Sequence, residues 1–336
     1  AGTAIYRSTA RTFLRCDGCG LVRQVLFSGR TSDYTQPAYF FDEYKAQYGR
    51  TYIEDIPTIR KAAARRLAII ESLTPDRSAG HAGPVSKAAN TVSAAGADRR
   101  GTTGTSGGQD TNGIQDGQGT KNRQGSRETS SARKPGILDI GCAYGAFVAE
   151  AKDRGWQAIA CDVSADAVSY TAKTFGVNSF VADFSSPDSG TYPDNLDCVS
   201  LWYVIEHFPE AGAVMKRVAS LLKPGGVFAF STPSCSGISA RRNLHRFLER
   251  SPDDHCTVWS PSSVSSILAR YGFKVRRIVV TGHHPERFPF VPDNPRSVRY
   301  RLAMLVSRLA GLGDTFECYA TLGERDNRSA PSMESQ

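Results

Sequence analysis

From residue 134 onward, short apolar runs alternate with amphipathic stretches, the pattern of strands exchanging with helices. Gly136–Ile140 (GILDI) reads as a strand stopped at Gly141, Ala146–Arg154 as the helix after it, and Asp162 ends the next strand. Val177–Ala182 and Leu196–Trp202 read as the third and fourth strands, and a helix runs from Glu210 to Leu222. Lys223-Pro224-Gly225-Gly226 is expected to stop that helix, because proline cannot continue it and glycine supplies the positive φ of a C-cap. A strand over Val227–Thr232, a helix over Pro261–Tyr271, a strand over Phe273–Val280, a basic helix over Arg299–Leu309 and a strand over Thr315–Leu322 complete the series. This alternation implies an α/β fold, a mostly parallel sheet with helices on both faces.

The most specific chemistry lies at the first strand–helix junction. Gly141 and Gly145 frame a tight turn and are expected to let backbone approach a ligand closely. The following helix directs its free N–H groups at that turn, and Asp162 can accept two hydrogen bonds from a ribose diol. A pyrophosphate-binding turn takes GxGxxG, whereas Gly141-Cys142-Ala143-Tyr144-Gly145-Ala146 has alanine at both later glycine positions. Asp139, just before the turn, would repel phosphates and suits a cationic group.

DIGCAYG resembles the first motif of the class I S-adenosylmethionine-dependent methyltransferases, DxGxGxG, with Ala143 at the middle glycine. The resemblance runs in family order from about Lys134 to Glu324. It implies a Rossmann-like seven-stranded sheet whose last strand is antiparallel, and S-adenosylmethionine as cofactor. It also implies a cofactor site of Asp139, Gly141, Cys142, Ala143, Gly145, Asp162, Val163, Asp183, Phe184 and Tyr203. In that site Asp139 would face the amino-acid end, Asp162 the ribose, and Asp183 with Phe184 the adenine.

Methyl transfer is an in-line displacement at a sulfonium carbon, so a hydroxyl or amine acceptor gains chiefly from alignment and from a base. Glu206-His207 follows the fourth strand and resembles the EH pair of the ubiquinone-type O-methyltransferases. Those enzymes use a further acid three residues before that glutamate, with the pair, for a metal; Tyr203 stands there, so metal assistance is not expected and His207 is read as base or orienting group. His255, in an HxxxxSP setting before Pro261, is read as a further pocket residue. The long polar stretch from Pro233 to Ser260 is expected to form a lid that selects the acceptor. WYVIEHF stands where amide and adenine methyltransferases carry an NPPY type of sequence, which argues against those substrates.

Composition and charge settle less. With 336 residues, 40% hydrophobic, the chain can bury one full core and a smaller appendage. No apolar run approaches the ~20 residues of a spanning helix and no signal peptide opens the chain, so a cytoplasmic enzyme without a membrane partner is expected. Residues 76–133 lack Phe, Tyr and Trp and are expected to be a disordered insertion between an N-terminal segment, 1–75, and the methyltransferase domain, 134–324; residues 325–336 read as a disordered tail. The net charge of +8 is scattered rather than clustered, so nucleic acid is not an expected partner. Arg241, Arg242 and Arg246 fall near the substrate side and point to an anionic small-molecule acceptor. Of eight cysteines, Cys16 and Cys19 form a CxxC of zinc-knuckle type that supplies only two of the four ligands of a closed site. With Tyr39-Phe40-Phe41-Asp42-Glu43-Tyr44 after it, this stretch resembles the second half of the zinc module of some bacterial methyltransferases. A first pair is then expected upstream of Ala1, and zinc should bind the present chain weakly.

The resulting expectation is methyl transfer to a small molecule, at oxygen first and at carbon or nitrogen as alternatives, with a sugar or phosphate-bearing metabolite as one candidate. A cofactor-binding scaffold without catalysis, or an RNA or protein methyltransferase, would be the competing functions.

Overall fold

The computed structural model describes residues 2–27, 34–35, 39–74, 133–187 and 190–324. The expected insertion at 76–133, Arg133 excepted, and the expected tail at 325–336 lie outside them. The described chain opens with strands β1 (Gly2–Arg7), β2 (Arg11–Cys16) and β3 (Val22–Leu26), then helices α1 (Tyr44–Tyr48) and α2 (Tyr52–Leu73). Next come β4 (Gly136–Ile140), α3 (Ala146–Asp153), β5 (Gln157–Asp162), α4 (Ala165–Phe175), β6 (Asn178–Val181), β7 (Leu196–Trp202) and α5 (Ala211–Leu221). The remaining elements are β8 (Leu222–Pro233), α6 (Ile238–Arg242), α7 (Leu244–Glu249), β9 (Thr257–Val258), α8 (Val264–Ala269), β10 (Phe273–Thr281), α9 (Val298–Leu309) and β11 (Thr315–Leu322).

Strands β4 and β7 are buried along nearly their whole length, as continuous apolar runs require, and they form the middle of a seven-stranded sheet. The order is β10-β11-β8-β7-β4-β5-β6, parallel from β8 to β6, with β11 antiparallel to both β8 and β10. Helices cover both faces, as the resemblance implied. The parallel strands all end on one edge, and the turn at Gly141 and the segment after Trp202 therefore meet there.

Two expectations at element ends change. Lys223-Pro224-Gly225-Gly226 does not cap the helix: Leu222, already extended, ends α5 and pairs with Leu196, while Val227 pairs with Cys198. The four residues form a bulge inside β8, with Gly225 at φ +77°. Lys223 Nζ reaches Asp197 Oδ1 at 2.5 Å, and Asp197 accepts the Gly136 N–H at 2.7 Å, so the bulge braces the start of β4. The helix expected over Pro261–Tyr271 shortens to α8, because the Ser260 hydroxyl takes the Ser263 N–H at 3.2 Å and holds the first residues in a turn.

The N-terminal segment carries its CxxC on a small sheet ahead of helices α1 and α2. Strands β1, β2 and β3 form an antiparallel sheet that β9 completes, with Val22 opposite Val258. That sheet is tied to the stretch before β9: the Gln24 N–H donates to Cys256 O at 2.8 Å, Gln24 Nε2 to Asp253 O at 3.2 Å, and Arg11 pairs with Asp253. Helix α2 opens with a capping box between Thr51 and Glu54 and lies along α3 and the sheet. Arg60 meets Glu150 at 2.9 Å and Asp153 at 2.5 Å, Arg154 pairs with Glu71, and Arg66 pairs with Glu317 of β11. The N-terminal residues and the seven-stranded sheet thus belong to one compact unit.

Candidate active site

The turn between β4 and α3 is held in the left-handed region at three positions: Gly141 at φ +70°, Ala143 at +49° and Gly145 at +74°. A Cβ on Gly141 would lie 2.4 Å from Val204 Cγ2, and one on Gly145 would lie 2.6 Å from Thr171. The room left by these glycines is therefore taken by protein, not reserved for a ligand. They are required by backbone conformation and by packing of the turn against the segment after β7 and against α4. Ala143 holds the same conformation with a side chain because Asp162 Oδ2 accepts its N–H at 2.8 Å and Thr171 donates to its carbonyl at 3.3 Å. Cys142 is buried, and its thiol is pushed well up by burial. The Tyr144 ring is enclosed by Phe40 (5.0 Å), Phe41 (5.8 Å), Tyr52 (6.0 Å) and Tyr170 (5.0 Å), so the N-terminal aromatic stretch packs on this turn.

Asp162 ends β5 and is buried; its Oδ1 accepts the Ser164 N–H at 2.9 Å. Burial raises its pKa, and the backbone donors only offset this. A carboxylate has about four lone-pair positions, so it can still accept from a ligand hydroxyl beside the backbone donors of Ala143, Ser164 and Val163. Val163, half-buried, follows it directly. Asp139 is 2% exposed and accepts the Ser200 hydroxyl at 2.6 Å. Burial lifts its carboxyl to about 7, opposed by that hydroxyl and by the field of Arg66. Asp183 is exposed and gathers the Ser185 N–H and hydroxyl at 2.9 and 2.6 Å. Phe184 is buried between Tyr192, at 5.1 Å, and the Arg217 guanidinium, at 4.9 Å. Tyr203 is half-exposed, has φ +59°, and donates its N–H to Ser231 O at 3.0 Å.

The three residues proposed for the acceptor side come together. Glu206 and His207 lie in a 3-10 turn, Ile205–His207, directly after β7, and one ligating atom from each of Glu206, His207 and His255 lies within 4.8 Å of the others. The two imidazole rings meet edge to face at 4.9 Å. Glu206 is 1% exposed, its Oε2 has no hydrogen-bond partner among the described residues, and burial pushes its carboxyl up to about 8. Burial lowers His255 to about 4, so its ring is neutral near pH 7. His207 Nδ1 faces Asp254 Oδ2 at 3.4 Å and the Tyr34 hydroxyl at 3.3 Å, and Cys256 Sγ donates to its carbonyl at 2.9 Å. Asp254 and Tyr34 were not anticipated. The acid stands next to His255 in DDHC, which was a visible signal; Tyr34 gave none.

The other candidates are dispersed. Cys16 ends β2, Cys19 lies in the following turn, and among the described residues neither joins a group of three or more metal-ligating side chains. Arg241 and Arg242 close α6 and donate to the carbonyls of Ser236, at 2.9 Å, and Arg287.

A family model described as a methyltransferase domain matches residues 120–278. The chain is similar to the ubiquinone biosynthesis O-methyltransferase of Burkholderia ambifaria, 24% identical over 187 residues, covering 49% of this chain and 76% of that one. Its counterpart from Serratia proteamaculans is 29% identical over 100 residues, 29% of this chain and 42% of that one. Among solved structures, a SAM-dependent methyltransferase from Archaeoglobus fulgidus aligns with TM-score 0.43 and 20% identity, over 56% of this chain and 86% of that one. The domain match, the sheet order and the turn described above together support a class I S-adenosylmethionine-dependent methyltransferase.

Proposed function

We propose that this enzyme methylates a hydroxyl oxygen of a small molecule, with His207 as general base and Asp254 as the group that positions it. The observation that carries this reading is the His207–Asp254 pair at the carboxyl edge of the sheet. Asp254 on Nδ1 fixes the tautomer and leaves Nε2 as the nitrogen that takes the acceptor's proton. The sulfonium carbon needs no covalent nucleophile, so the remaining work is alignment and exclusion of water. The small sheet of β1, β2, β3 and β9 supports this role by bracing the residues next to Asp254 and His255. The O-methyltransferases among its relatives support oxygen as the acceptor atom. On the donor side, Asp162 would take the ribose, Asp139 the cationic amino-acid end, and Asp183 the adenine amino group.

A second reading is favoured by Glu206 Oε2, without a hydrogen-bond partner among the described residues and grouped with two histidines. Glu206, His207 and His255 would hold a divalent cation, which would supply Lewis acidity to the acceptor oxygen. Calorimetric titration with Mn²⁺ or Zn²⁺ separates the two: a site lost in both Glu206→Gln and His255→Ala makes His207 a ligand, and no binding leaves it the base. Zinc at Cys16 and Cys19 has no support beyond the pair itself.

Cofactor titration tests the donor site. Asp162→Ala is expected to weaken S-adenosylmethionine binding by roughly 10- to 100-fold, since it removes the ribose acceptor and frees the Ala143 N–H. Asp139 makes the affinity pH-dependent: the cationic ligand binds the ionised carboxylate, whose pKa in the ligand-free protein is about 7. Affinity should therefore rise about tenfold per unit up to that pH and level off above it, with proton release on binding below it. A flat profile between pH 5.5 and 8 would remove Asp139 from the cofactor site.

A further inference from the structure

Helix α9 turns its most apolar side to solvent. Inside it lie Ala303 and Ser307, with Tyr300 and Met304 half-buried; the Ser307 hydroxyl meets His283 Nδ1 at 2.7 Å. On the opposite side Val298, Leu302, Leu305, Val306 and Leu309 are 79%, 60%, 53%, 43% and 80% exposed. At ~100° per residue these five fall within an arc of about 100°, one continuous stripe along the helix. Arg299 borders the stripe on one side, and Arg301 and Arg308 on the other. Between Asp293 and Asp314 the chain has four arginines, Arg296 among them, and no acid. Beside the last turn a groove of about 620 Å³ opens along β10, lined by Arg277, Arg308 and Leu309 among others. In the preceding loop Phe290 is 91% exposed.

We propose that α9 is an interfacial helix that seats the enzyme on an anionic lipid surface, its leucines in the headgroup boundary and its arginines on the lipid phosphates. A helix with an outward apolar stripe edged by cations has the pattern that partitions into such a boundary while lying in its plane. A second copy of the chain fits poorly. A two-fold contact through this face would bring each row of arginines towards its own copy, and one helix ~18 Å long cannot supply the ~800 Å² per partner of a stable dimer. No described helix is long and apolar enough to cross a membrane, and surface seating requires none. The expectation of no membrane partner rested on spanning length alone, whereas this stripe depends on which side of α9 faces the sheet.

The test is sedimentation of the full chain with vesicles of neutral phosphatidylcholine alone or with a third phosphatidylglycerol. Binding is expected to the anionic vesicles, to weaken with added salt, and to be at least tenfold lower on neutral ones. Replacing Leu302, Leu305 and Leu309 by serine, or Arg299, Arg301 and Arg308 by glutamine, should each reduce it. For the arginines the expected loss is about fivefold per residue, on the order of 100-fold together. All six side chains are exposed, so both variants should keep wild-type melting and cofactor affinity. No binding to either vesicle, or binding that the arginine variant leaves unchanged, overturns the proposal. So does a dimer in light scattering that the serine variant splits, which would make a second copy the occupant.

Discussion

His207→Ala is expected to lower the single-turnover rate of methyl transfer by roughly 10²–10⁴-fold while S-adenosylmethionine affinity stays within about twofold. The magnitude is that of a lost general base. The selectivity follows from position: His207 sits after β7 against Asp254 and Tyr34, while the donor side is built from the ends of β4 and β5. Asp254→Asn should retain the fold and lose a smaller but substantial share of the rate, because an amide can present its N–H to Nδ1 and so favour the wrong tautomer. Asp254→Glu should recover part of that loss, which a purely structural role for the residue would not produce. Tyr34→Phe removes the hydroxyl, 3.3 Å from Nδ1, and should cost least of the three. Rapid-quench measurement at saturating cofactor, on whichever hydroxyl acceptor of a phenol and sugar panel is turned over, reads all of them. Full activity in His207→Ala would reject it as the base.

What was legible in advance follows the range of the interactions involved. Strands β4, β7 and β11 begin and end where the apolar runs begin and end, because burial on both faces leaves a continuous local signature. The donor turn was legible for a related reason: Gly141, Gly145 and Asp162 belong to a short βαβ unit. The reason for its glycines was not, since it depends on Val204 and Thr171, residues that arrive from other elements. The lysine–glycine bulge of β8 looked like a cap because the local chemistry of a cap and of a bulge is the same; only the pairing of Leu222 with Leu196 distinguishes them. On the acceptor side Glu206, His207 and His255 were visible as residue types, but Val22 pairing with Val258, which joins the N-terminal sheet to this loop, leaves no periodic trace. The same holds for Asp139, where chemistry suggested a negative charge and complete burial makes that charge conditional on pH.

Arg66→Met is expected to be among the most destabilising single changes on the surface of contact between α2 and the sheet, by about 3–5 kcal/mol. Arg66 Nε lies 2.7 Å from Glu317 Oε1, its guanidinium stacks 4.1 Å over Trp202, and the paired side chains are only 10% and 12% exposed. Methionine fills much of the volume but takes the guanidinium away from the Glu317 carboxylate, which keeps the Tyr319 hydroxyl, at 2.7 Å, as a donor. At roughly 2–4 °C per kcal/mol for a unit of this size, the melting midpoint should fall by about 10 °C. Adding Glu317→Gln removes the stranded charge, and the double variant should regain most of the loss; a double variant as unstable as the single would mean that packing, not charge, joins α2 to the sheet. The same substitution has a second readout at a distance. Arg66 is one of the influences that hold the Asp139 carboxyl down to about 7, so without it the carboxyl titrates higher. The ionised form is then reached later, and the pH above which S-adenosylmethionine binds tightly should shift upward in Arg66→Met, while affinity at pH 8.5 approaches that of the wild type. Loss of affinity at every pH would mean instead that α2 shapes the donor site sterically.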